Sequence, residues 1–124
     1  MFVIKGKEYN SYFYIIKHKP SGQIYAGCRY AKDCNPSELL KKKGYCTSSE
    51  VVRKLIQRDG LNSFIVLEIR IFKDKHKAYL YESVFLQYNL RVHPWLFLNK
   101  SCNAGCYYPE KRLEGDYGEL YEIQ

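Results

Sequence analysis

Tyr12, Tyr14 and Tyr25 fall within one short stretch, YFYIIKHKPSGQIYAG, which has no acidic residue, carries Lys17 and Lys19, and is followed closely by Arg29. A phenol offers a flat apolar body and a polar tip, so tyrosines on neighbouring strands make a half-wet surface that stacks and hydrogen-bonds. The chain holds 13 tyrosines among its 124 residues, well beyond what packing alone calls for. Cations beside such a surface suit a polyanionic partner. A second candidate chemistry lies in the thiols. Cys102 and Cys106 in CNAGC, with Cys28, Cys34 and His93, could complete a zinc site, but metal knuckles usually read CxxC. The odd count, five with Cys46, favours reduced thiols over a disulfide framework.

The elements that must position these groups follow from periodicity. Tyr12, Tyr14 and Ile16 alternate with Phe13 and Ile15, a strand covered on both faces. Pro20-Ser21-Gly22 signals a turn, and Gln23 to Gly27 starts a second strand, so the two are expected to pair as a hairpin. Asn35-Pro36-Ser37-Glu38 opens a short basic helix that Gly44 ends. TSSEVVRKLIQRDG predicts a capped helix, with Thr47 as N-cap, Glu50 as its reciprocal partner, an apolar face of Val51, Val52, Leu55 and Ile56, and Gly60 as the stop. Phe64 to Phe72 predicts a third strand. Asp74 opens a helix to about Tyr88, whose apolar arc takes in Ala78, Leu80, Tyr81, Val84, Phe85 and Tyr88, with Glu82 at its edge. Leu90 to Cys106 reads as irregular, with His93-Pro94-Trp95 a turn and Trp95, Leu96, Phe97 and Leu98 packing it onto the body. The expected fold class is α+β: one small three-stranded, mostly antiparallel sheet flanked by helices, over residues 1–106, followed by a short acidic tail, 107–124.

Taken in order, Tyr12-Phe13-Tyr14, the hairpin turn, Tyr25-Ala26-Gly27, the TSS helix, the third strand, the helix bearing Glu82, and Leu98-Asn99-Lys100 resemble the GIY-YIG nuclease superfamily. The chain is especially similar to small phage-type members that read Y-x-G-x-R after the second strand and Y-x-T-S-S before the next helix. Here these are Tyr25-Ala26-Gly27-Cys28-Arg29 and Tyr45-Cys46-Thr47-Ser48-Ser49. Tyr12, Phe13 and Ala26 depart from the family pattern at packing positions. The helical arginine of many members falls at Asn35, so Arg29 takes that role on the phage-type pattern, with Arg53 as the alternative.

The resemblance implies hydrolysis of a phosphodiester with one divalent ion, Mg²⁺ or Mn²⁺. Such chemistry needs a base for water, a cation on the phosphate and a carboxylate for the metal. Tyr14 and Tyr25 would face one phosphate, one as base and the other as orienting donor. A phenol serves as base at neutral pH only where positive charge lowers its pKa, here from Lys17, Lys19, Arg29 and the metal. Glu82 matches the family's metal ligand, a single carboxylate being enough for an ion that keeps most of its water. Asn99 would hold a phosphate or a water on the metal, and Tyr45 or Thr47 would orient the nucleophile. Ser48, Arg53 and Lys100, with Lys17 and Lys19, complete the expected nucleic-acid contacts.

Charge agrees with a nucleic-acid partner. The net charge is +7, and without residues 107–124 it is +10, from 18 basic and 8 acidic residues. DNA is the expected partner, with RNA second. The alternative is a catalytically inactive module that grips nucleic acid or protein on the same fold. The start, MFVIKGKEYN, has no secretory h-region and no apolar run reaches the length of a membrane span, so a soluble cytoplasmic protein is expected, in the host cytoplasm if phage-encoded. One site cuts one strand, so a double-strand break would take two chains or sequential nicks.

Overall fold

The computed structural model describes residues 11–100 and 117–123. β1 (Ser11–His18) is central and pairs antiparallel with β2 (Ile24–Arg29), the expected hairpin, and with β3 (Phe64–Phe72). α1 (Glu50–Asp59) precedes β3, and α2 (Lys75–Val92) follows it. The sheet has four strands, not three. Glu119–Leu120, in the expected tail, forms β4, antiparallel to β3, giving the order β2-β1-β3-β4. Tyr121 then donates its backbone N–H to Ile69 and packs on the core. The architecture is thus α+β, an antiparallel sheet with two helices. Among the described residues no helix is long and apolar enough to cross a membrane.

Strand alternation divides β1 between two cores. Tyr12, Tyr14 and Ile16 join Val52 of α1 with Phe64, Ile69 and Ile71 of β3. Phe13 and Ile15 join Ala26, Phe72, Phe97, and Ala78 and Leu86 of α2. Between Ile15 and Ile16 the register with β3 slips, leaving Leu67 without a partner on β1. That bulge is what lets Val66 and Ile69, three residues apart, face the same core. Phe13 and Ile16 are fully buried, each contributing roughly 1.5–3 kcal/mol of apolar burial.

Four local expectations are corrected. The helix after Asn35 is a single 3-10 turn, Pro36–Glu38, capped by the Asn35 side chain on Ser37 N–H. The chain turns back at Leu40, whose φ is +57°, so that Tyr45 N–H reaches the Glu38 carbonyl. Gly44 serves close approach here: a Cβ on it would stand 2.2 Å from that carbonyl oxygen. The N-cap of α1 is Ser49, whose Oγ accepts from Val52 N–H at 3.2 Å, and Thr47 turns inward instead. α2 runs on to Val92, and its buried ridge is Ala78, Glu82, Ser83 and Leu86, leaving Tyr88 63% exposed. Glu82 therefore lies within the packed stripe, between Ala78 and Leu86 at four-residue intervals, not at its edge. Of the segment after α2, Phe97 and Leu98 pack on the cores, whereas Trp95 is 70% exposed. Gly60, with φ +89°, stops α1 as expected.

Candidate active site

Gly27 lies opposite Tyr14 on β1, and both belong to the face covered by α1. A Cβ at 27 would stand 2.6 Å from the Tyr14 hydroxyl and 3.1 Å from the Tyr25 ring. The missing side chain is the space into which two phenols lean. The rings of Tyr14 and Tyr25 lie 6.3 Å apart between centroids, and Tyr45 meets Tyr14 edge-on at 6.0 Å. Tyr14 donates its hydroxyl hydrogen to Thr47 Oγ1 at 3.0 Å. Thr47 is buried and has φ +90°, a conformation that β-branched residues rarely adopt and that costs on the order of 1–3 kcal/mol. Strain of this kind persists where surrounding contacts impose it, and here it delivers a hydroxyl among three phenols.

Arg29 lies on the same face, its guanidinium 4.1 Å from the centre of the Tyr45 ring. It also pairs through Nε with Glu38, whose Oε2 accepts the Tyr12 hydroxyl at 2.7 Å. Glu38 is thus a site residue that sequence reasoning missed: a surface-type residue in an opening turn, made central by partners far back in the chain. Burial opposes the Arg29 charge, and Glu38 more than offsets that, raising the Arg29 pKa.

The protein's own groups, without a metal, raise the phenol pKa values. Burial pushes Tyr14 well above the ordinary value, with the neighbouring Tyr45 and Tyr25 adding to the rise and the Thr47 hydrogen bond opposing it. Tyr25 is raised by burial too, opposed by Thr47 and reinforced by Glu82. Tyr12 is raised by burial and Glu38, against a small counter-effect of Arg29. Lys17 shares the Phe13 face by alternation, and Lys19 is exposed past the end of β1, its N–H bonded to the Ser63 carbonyl.

Glu82 belongs to α2, which packs on the opposite face of the sheet from Tyr14 and Tyr25. It reaches the same edge strand from that side: Cys28 Sγ, on β2, donates to Glu82 Oε1 at 3.3 Å. Burial, then Glu82, raises the Cys28 thiol far above its usual range. The charge of Glu82 also contributes to raising the phenol pKa values of Tyr25 and Tyr30.

Asn99 covers that edge. Its Oδ1 accepts from Ala26 N–H at 3.0 Å and its Nδ2 donates to the Ala26 carbonyl at 2.8 Å. Both ends of the amide are engaged by backbone, so in this state it serves the edge strand, not a phosphate. Ser48, Arg53 and Lys100 are exposed, with Arg53 Nη2 donating to the Ser48 carbonyl. Cys34, buried, donates to the Arg29 carbonyl, and burial pushes its thiol up to about 11. Cys102 and Cys106 lie outside the described residues, and among the described ones no three His, Cys, Asp or Glu side chains cluster as metal ligands. A hydrated magnesium ion takes one or two protein oxygens, so Glu82, buried and holding the Cys28 thiol, would serve it only by giving up that bond. Compared with protein-family models, curated proteins and solved structures, the chain matches none.

Proposed function

We propose that this chain is a divalent-metal-dependent DNA endonuclease of the GIY-YIG type. The observation that carries the reading is the meeting of Tyr14 and Tyr25 over Gly27, with Tyr45 and Thr47 on Tyr14, and Glu82 hydrogen-bonded to Cys28 of the same strand from its other face. In this reading Glu82 is the residue that holds the metal, and the bound ion supplies charge to the scissile phosphate. Tyr25, half-buried at the edge, meets the water or phosphate, and Tyr14 holds the ring stack in place through Thr47. Arg29 leaves Glu38 to pair with a phosphate oxygen, a bidentate geometry that guanidinium favours.

A nicking assay on supercoiled plasmid tests the reading. Wild-type protein with magnesium should convert plasmid to open circle, and Glu82→Gln should lower the rate by at least about a hundredfold, the scale of a lost electrostatic group. Equal background from both proteins would overturn it. One observation favours the inactive module: Arg29 is held by Glu38 and Tyr14 is sealed from solvent. Binding that falls steeply with salt, without nicking, would decide for that module.

A further inference from the structure

A cavity of about 290 Å³ lies next to the end of β2, between Tyr30 and the first turns of α2, and is lined by Tyr30, Lys75, His76 and Tyr79. We propose that it receives one unpaired nucleotide of the DNA, with the base stacked on the phenol rings and the adjoining phosphate held by Lys75 and His76. The inference deepens the nuclease reading and rests on it for the identity of the polymer.

Size and lining point to this ligand. The volume lies at the small end of ligand sites, room for a single ring system. Two phenols give a π-surface that any base can use, and Lys75 adds a cation and His76 a ring hydrogen-bonding group to the lining. Position links the cavity to the site. Lys75, Tyr79 and Glu82 recur at intervals of four and three residues, one side of α2. A rise of 1.5 Å per residue sets Tyr79 and Glu82 about 4.5 Å apart along the helix axis. Tyr30 follows β2 directly, next after Arg29. A nucleotide seated in the cavity would thus adjoin the phosphate nearest Glu82. Unstacking a paired base costs several kcal/mol, whereas a bulge, flap or branch supplies a free base at little cost. The substrate class is therefore DNA with an unpaired nucleotide next to the scissile bond.

The test uses 2-aminopurine as the unpaired base of a single-nucleotide bulge, titrated with full-length protein in EDTA so that no cleavage is needed. Wild type should quench the fluorophore and bind the bulged duplex about tenfold more tightly than the perfect one, as expected for one stacked base. Tyr30→Ala should abolish quenching and equalise the two affinities, and Tyr30→Phe should restore both. Tyr30 is 46% exposed, so its replacement leaves the cores intact. Equal affinity of wild type for both duplexes, or quenching that survives Tyr30→Ala, would overturn the proposal. Quenching with no nicking under magnesium would instead count against the nuclease reading and leave the cavity assignment standing.

Discussion

Glu38 holds the two most informative side chains of the site, accepting the Tyr12 hydroxyl and pairing with Arg29. If Arg29 is the phosphate cation, Glu38 competes with substrate for it. Replacing Glu38 by Gln should raise affinity for duplex DNA at low salt and steepen the dependence of log K on log salt by about 0.9, the counterion released by one more phosphate contact. Filter binding across an ionic-strength series measures this, and an unchanged slope would place Arg29 off the phosphate path. Arg29 was legible from its place after Tyr25-Ala26-Gly27, but Glu38 was not: its partners lie 9 and 26 positions back in the chain, beyond the reach of any local pattern. The effect of burial on the phenols was not legible for a related reason, because sequence shows which charges are near in number and not which ring is covered.

At the scale of elements, the site depends on an edge strand that lacks one side chain. Gly27→Ala would drive a Cβ into the hydroxyl of Tyr14, which is only 1% exposed and cannot swing away. Overpacking of this kind costs roughly 1–3 kcal/mol, so the midpoint of urea unfolding should fall and nicking should be lost. An unchanged midpoint would mean that the Tyr14 ring is not seated over Gly27. The hairpin, α1, β3 and α2 were legible from period and capping signals, since each has enough residues for its pattern to repeat. β4 was not, because two residues, Glu119 and Leu120, show no period and owe their strand to pairing with Ile71 and Arg70. Glu82 was placed at the rim because hydrophobicity sets the apparent centre of an arc, whereas the ridge that docks is chosen by small Ala78 and Leu86 against Phe13 and Ile15.

For the whole molecule, the ionisable groups set opposite limits on pH. Arg58 and His18 hold the Asp59 carboxyl down at about 2, so the stability it contributes is present above about pH 4, its unfolded range, and is lost as pH falls toward 2. Tyr14 and Tyr25 are raised, so burial of their neutral forms favours folding below about pH 10 and is lost as pH rises through their folded values. Thermal melts should show a plateau between those limits, and Asp59→Asn should flatten the acid limb; the same limb in both proteins would contradict the assignment. At pH 7 a net charge of +7 keeps the chain attractive to polyanions, with Glu119 of the acidic residues after 107 committed to β4. The central claim, that phenols and a carboxylate from opposite faces meet at one phosphate, is tested most directly by a crystal grown with manganese and a short duplex. The account expects an anomalous peak beside the Glu82 carboxylate, with the Tyr14 or Tyr25 oxygen turned to the same phosphate. Manganese bound only elsewhere, with Glu82 still on the Cys28 thiol, would contradict it.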